Sequence, residues 1–218
     1  MTLETLEQKL ETILREHDDG SDGSHDLHHA RRVLLNAKQI AQHESVEVDL
    51  RQLTAAAYLH DLVNLPKNSP QRSEASRLSA EAAEPILIDL GFPPEELAAV
   101  QHIIIAHSFS AKVGPQTIEA KILQDADRME ALGALGIART FYVAGKLSSA
   151  LFDGEDPFAT KRELDDARFA IDHFKAKLLG LADTMQTDAG RLVAAERTKS
   201  MRRFLDELAT EIGSENTW

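Results

Sequence analysis

Leucine and isoleucine return every third or fourth position near the start of the chain, at Leu3, Leu6, Leu10, Ile13 and Leu14, which predicts an amphipathic helix over residues 2–17. The polar run DDGSDGS ends it. A second stripe, Leu27, Val33, Leu34, Ala37 and Ile40, predicts a helix that Ser24 or Asp26 can cap. A third helix is predicted over about 48–62, followed by the loop NLPKNSPQR, whose prolines and asparagines favour turns. Residues 74–90 read as a fourth helix stopped by Gly91. Pro93-Pro94-Glu95-Glu96 opens a fifth, with proline in its first turn and acids at the positive end of its dipole, and this helix runs through LAAVQHIIIAHSF. Gly114-Pro115 breaks the chain, after which Thr117 caps a long helix through IEAKILQDADRMEALGALGIARTF, with Ile118, Ile122, Ala126, Met129, Leu132 and Ala134 in step. From 145 to 166 the period lapses into an acidic loop of the kind that forms a lid or rim. Helices return over about 166–181 and 187–212, leaving residues 213–218 as a frayed tail. No stretch reads as a strand, a repeat or a glycine-rich phosphate loop, so the chain is predicted to be all-α.

Charge narrows what such a chain serves. Thirty-six acidic against 24 basic residues give a net charge of -12, which argues against a nucleic-acid polymer or an anionic membrane as partner. A local basic pocket for a small phosphorylated molecule stays open. With 218 residues and 43% hydrophobic positions the chain can bury a full core, and a single domain over 1–218 with its core at about 24–205 is the economical organisation. The absence of cysteine excludes disulfides, thiolate metal sites and a cysteine nucleophile. Residues 1–20 carry charges throughout, so neither a secretory signal nor a membrane span is read there, and cytoplasmic residence is the expectation.

Nine histidines against two tyrosines and one tryptophan turn attention to imidazole chemistry. His60 and Asp61 stand side by side at the end of a small-residue run, an imidazole and a carboxylate of the types that bind metal. Adjacent helical residues point about 100° apart and can share one ion while the Ala55–Ala57 face stays in the core. His29, four residues before Val33, is on the core side of its helix, whereas His25 and His28 read as outer or surface residues. One of His102 and His107 is expected to face inward among Val100, Ile103, Ile104 and Ala106. Asp125 and Asp127 lie in an otherwise apolar helix, where a carboxylate is costly to bury without a cation or donors. Each of these residues also has a plain structural reading: a hydrogen-bonded core histidine, a solvated acid, an acid paired with Arg128. Lys67 and Arg72 are within reach of whatever binds at His60-Asp61, or are ordinary surface cations.

The ordered set His29, His60-Asp61, Asp127 resembles the H…HD…D pattern of the HD-domain superfamily of metal-dependent phosphohydrolases. The runs HDLHHARRV, LHDLVNLPKNSPQR, AHSFSA, EAKILQDADRMEALGALGIAR, LFDGEDPF and DHFKAKLL look like its small stand-alone bacterial branch, the YedJ-type hydrolases, over about 24–203. The resemblance implies a helical bundle with one buried divalent transition metal (manganese, iron, nickel, cobalt or zinc) held by His29, His60, Asp61 and Asp127. It further implies a metal-activated water that Asp61 or Asp127 orients, and pyrophosphohydrolysis of nucleoside or deoxynucleoside triphosphates. Lys67 and Arg72 match basic positions of that branch and are the candidate phosphate contacts, with His107 as a substrate contact and His102 as structural. Glu130 stands where many relatives carry aspartate. The partner domains and extra motif of the branch that cleaves cyclic dinucleotides are missing, which argues against that substrate. A non-catalytic module that senses nucleotide or metal is the alternative function, and a purely structural bundle the blandest.

Overall fold

The computed structural model describes residues 1–17, 27–65, 69 and 71–218. Two compact units divide it, Met1–Asp127 and Arg128–Trp218. Short polar side chains start several of the helices. In the first unit Thr2 Oγ1 accepts from the Thr5 amide ahead of α1 (Leu3–His17). The Ser24 or Asp26 cap expected for α2 (Leu27–Ala41) lies outside the described residues. Asp49 caps α3 (Leu50–Leu59), its carboxylate accepting from the amides of Arg51 and Gln52. A 3₁₀ turn, Arg72–Glu74, leads into α4 (Ala75–Asp89). Pro94 begins α5 (Pro94–His107), and Thr117 Oγ1 accepts from the Ala120 amide at the head of α6 (Ile118–Arg128).

Helix α3 is central to the first unit. Its residues from Leu53 to Leu59 are all buried, which is the condition of a helix packed on every side. Ala55, Ala56 and Ala57 present so little bulk that α1, α2 and α5 pack directly against it. Leu6 and Leu10 of α1, Val33 and Ala37 of α2 and Ile103 and Ile104 of α5 supply core surface around it. The helix is shorter than its sequence indicates. It ends at Leu59, with His60 still in helical conformation as its cap (φ -64°, ψ -30°), so the His60-Asp61 pair follows the helix instead of riding on it. Ser79 of α4 takes over the chain there, accepting from the Val63 amide at 3.0 Å.

The long helix expected after Thr117 is two helices. Met129–Ala131 form a 3₁₀ turn, Leu132 is extended, and Gly133 turns at φ +69° into α7 (Gly133–Lys146). A β-carbon at Gly136 would stand 2.3 Å from the Ala131 carbonyl oxygen, so the tight turn needs glycine there. Gly136→Ala is expected to lower stability by about 1–3 kcal/mol, read as a lower urea midpoint.

The acidic loop and the tail of the second unit are better bonded than a lid or a frayed end. Asp156 accepts from the amides of Thr160, Lys161 and Arg162, and Arg162 grips the fully buried Asp172 with both terminal nitrogens. The helix expected over about 166–181 is reduced to α8 (Asp172–Ala176) and a 3₁₀ segment, Leu178–Thr184. Thr187 then caps α9 (Asp188–Glu211), which adds Phe204 to Phe141 and Phe174 in a cluster of ring centroids 5.8–6.1 Å apart. Trp218 packs edge-on against Phe158 and donates its indole N–H to the Phe158 carbonyl, fixing the tail. No strand occurs among the described residues, and no helix among them is long and apolar enough to cross a membrane. The fold is all-α.

Candidate metal centre

Helix ends build the centre. His29 is in the first turn of α2, His60 and Asp61 follow the last residue of α3, His107 closes α5 and Asp127 is the penultimate residue of α6. Three helices therefore bring their carbonyl ends, the negative poles of their dipoles, to one place, a field that favours a cation. Two buried amides hold these ends together. Gln124 Nε2 donates to the Ala106 carbonyl at 2.7 Å, joining the last turns of α5 and α6, and Asn36 Nδ2 donates to the Ala126 carbonyl at 3.3 Å, joining α6 to α2.

The donor atoms converge. His29 Nε2 lies 3.2 Å from His60 Nε2, 3.8 Å from Asp61 Oδ2 and 3.6 Å from Asp127 Oδ1. His60 Nε2 is 3.5 Å from Asp61 Oδ2 and 4.0 Å from Asp127 Oδ1. The other Asp61 oxygen faces His107, whose Nε2 is 3.6 Å away. All three imidazoles are buried, while the Asp61 and Asp127 side chains are 25% and 31% exposed. Nitrogen thus forms the floor of the site and oxygen its mouth.

The remaining sequence candidates fall elsewhere or outside view. Lys67 and His25 lie outside the described residues. Arg72 donates from Nη1 to Asn64 Oδ1 at 2.7 Å and to the Leu65 carbonyl, so it secures the chain that leaves the His60-Asp61 pair. His102 Nε2 accepts from the Gln116 amide at 3.1 Å, a structural bond, and His28 is exposed. Glu130 is buried in the second unit. The sequence does not single out Gln124 and Asn36, although each is a polar residue beside apolar stripe positions such as Leu123 and Ala37.

Known proteins are similar to this chain. The HD domain family model matches residues 26–132. Over 213 residues the chain is 34% identical to the YpgQ protein of Bacillus subtilis, spanning 96% of this chain and 93% of that one. The chain belongs to the HD-domain hydrolase superfamily. Among solved structures it is similar to the crystal structure of B. subtilis YpgQ in complex with ADP, with a TM-score of 0.74, 33% identity and 97% of each chain covered. It is also similar to an HD-superfamily hydrolase from Bacillus thuringiensis, with a TM-score of 0.77, 28% identity, and 98% and 100% of the two chains covered.

HD domains bind divalent metals, and the side chains here fit one. Backbone carbonyls can only accept, so the bonds from His60 Nδ1 to the Ala57 carbonyl and from His107 Nδ1 to the Ile104 carbonyl place a proton on each Nδ1. In neutral His60 the Nε2 lone pair then points at a second imidazole nitrogen and two carboxylates, an arrangement of donors that a cation satisfies. His29, His60 and Asp127 form one group able to hold an ion, and His60, Asp61 and His107 an overlapping one.

Burial drives the His60 imidazole down to about 4, the charge of Asp61 opposing this only in part, and so keeps it neutral, the form in which an imidazole can bind a metal. Burial works the same way on His107, but the Asp61 carboxylate beside it and the charge of Asp127 outweigh burial and raise it above its ordinary value. For His60 the folded value lies below the unfolded 6.5, so in that interval the unfolded chain binds the additional proton. Its contribution to stability is complete above pH 6.5 and lost as pH falls toward 4. The metal-free protein is expected to show urea midpoints that decline from about pH 6.5 to about pH 5, below the range in which the raised His107 acts in the opposite sense, and His60→Gln to flatten that decline.

Proposed function

We propose that this protein is a metal-dependent phosphohydrolase whose substrates are nucleoside or deoxynucleoside triphosphates, cleaved by water to the monophosphate and pyrophosphate. The observation that carries this reading is the approach of His29, His60, Asp61 and Asp127 to within 4.0 Å along the contacts measured, nitrogen inside and carboxylates at the mouth. The YpgQ crystal structure in complex with ADP supports a nucleotide as the ligand class.

In this reading His29, His60, Asp61 and Asp127 would hold a divalent manganese, iron, nickel, cobalt or zinc ion. When bound, such an ion supplies a Lewis acid that neutralises phosphoryl charge and lowers the pKa of a water. The partly exposed carboxylates of Asp61 and Asp127 accept hydrogen bonds from the attacking water and orient it. A bond forms between the water oxygen and the α-phosphorus, the α–β anhydride breaks, and pyrophosphate leaves. Lys67 and Arg72 are assigned to the phosphates, Arg72 through the nitrogens not committed to the loop after Asp61. His107 is assigned to the substrate, since its Nε2 faces the mouth carboxylate and the Asp61 carboxylate beside it raises its proton affinity.

Two expectations test these roles. His107→Gln should retain the metal and raise KM by about 10-fold or more, the size of a lost hydrogen bond to a charged group. Incubating the metal-loaded protein with a panel of nucleoside triphosphates should release pyrophosphate and the monophosphate. Tight nucleotide binding with release of neither phosphate nor pyrophosphate would instead assign the site to a sensor.

A further inference from the structure

Glu11 on α1 joins α2, which carries His29, to α3, whose last residue His60 follows. Arg31, two residues after His29 on α2, donates from Nε to Glu11 Oε1 at 2.7 Å and from Nη2 to Oε2 at 2.6 Å. Tyr58, two residues before His60 in the last turn of α3, donates its hydroxyl to Glu11 Oε1 at 3.1 Å. Arg15 adds a bond from Nη2 to Oε2 at 3.0 Å from within α1. Tyr58 is buried and the Glu11 side chain is 19% exposed, so water competes weakly for the bond between them, while the Arg31 side chain is 41% exposed.

We propose that Glu11 is a positioning residue for the metal centre, fixing the rotation of α2 and α3 about their axes and so holding the Nε2 atoms of His29 and His60 in register. This inference rests on the reading of those histidines as metal ligands. Residues two apart on a helix project about 200° from one another, so Arg31 leaves α2 on the side away from His29, and Tyr58 leaves α3 away from His60. The helical conformation of His60 extends that geometry past the end of α3. Turning a helix by about 10° moves an atom roughly 6 Å from its axis by about 1 Å, several times the ~0.2 Å tolerance of a metal–ligand bond. One carboxylate bonded to the backs of both helices suppresses that rotation in each and couples the two. Helix α1 lies outside the stretch 26–132 matched to the HD family, so the clamp is built by a helix that the family motif does not include.

A second ion pair between the same helices provides the control. Glu7 of α1 meets Lys38 at 2.5 Å near the far end of α2, nine residues beyond His29, and bonds neither Arg31 nor Tyr58. It contributes to docking α1 without gripping the helix backs behind the two histidines.

The test is cobalt binding, measured by competition with a chromophoric chelator, beside the urea midpoint of each metal-free protein. Glu11→Ala is expected to weaken cobalt binding by about 10–100-fold, the usual effect of losing a group that orients a ligand. Glu11→Gln and Tyr58→Phe should weaken it by smaller factors, and either keeps the test open should Glu11→Ala fail to fold. Glu7→Gln should leave cobalt affinity unchanged even where its urea midpoint falls. Wild-type affinity in Glu11→Ala, Glu11→Gln and Tyr58→Phe alike, or an equal loss in Glu7→Gln, would overturn the positioning role alone. A wild-type protein that takes up no cobalt, zinc or manganese would overturn the ligand reading and the inference with it.

Discussion

Asp61→Ala protein should purify without the transition metal carried by wild type and lose turnover by at least about 100-fold, since groups that merely orient a ligand are worth 10–100-fold. Asp61 serves two neighbours at once. One oxygen stands 3.5 Å from His60 Nε2 and 3.8 Å from His29 Nε2, the other 3.6 Å from His107 Nε2. Alanine removes a donor from the mouth of the site and the negative charge that raises His107, so metal retention, water orientation and the substrate contact fail together. Asp61→Asn separates these effects, because it keeps the shape and an acceptor oxygen while losing the charge. It should retain more metal than Asp61→Ala and remain far below wild type in turnover. Elemental analysis of the purified proteins, paired with pyrophosphate release, reads both quantities. Equal metal content in wild type and Asp61→Ala would remove Asp61 from the ligand set.

The second large effect concerns stability. Arg162→Ala is expected to cost about 3–5 kcal/mol in urea denaturation, because it leaves a buried carboxylate without its counter-ion. Asp172 is fully buried, takes Arg162 Nη1 at 2.5 Å and Nη2 at 2.8 Å, and also accepts from the Asp165 amide at 2.7 Å. Arg162 in turn packs over the Phe169 ring at 4.5 Å and donates to the carbonyls of Asp156 and Pro157. The loop between α7 and α8 is therefore organised around one desolvated ion pair. Replacing both partners by apolar residues, Arg162→Leu with Asp172→Leu, should recover part of the loss, since the penalty comes chiefly from the unpaired charge. A single variant no less stable than wild type would show that the pair is solvated.

The helices that the sequence places well are those whose signals are local. The stripe of α1 and the Pro93-Pro94 start of α5 involve residues a few positions apart, and their boundaries follow within a few residues. The split between α6 and α7 is hidden because the apolar period runs on through Met129 and Leu132. Only the glycines at 133 and 136 betray a backbone approach too tight for a side chain. Trp218 reads as a tail residue until its partner Phe158, sixty positions earlier, is known. At the site, the pattern of His29, His60-Asp61 and Asp127 was legible through its family resemblance, and their meeting is a geometric fact of the first unit. What stayed out of reach was the support. Gln124 to Ala106, Asn36 to Ala126 and Glu11 to Arg31 and Tyr58 are bonds between distant segments, and no local spacing encodes them.

Anomalous diffraction from crystals of the cobalt- or manganese-loaded protein, collected on either side of the metal's absorption edge, tests the central claim most directly. The account predicts an element-specific peak within bonding distance of His29 Nε2, His60 Nε2 and the carboxylates of Asp61 and Asp127. A metal bound elsewhere in the molecule, or a peak that leaves Asp127 outside its coordination, would contradict it.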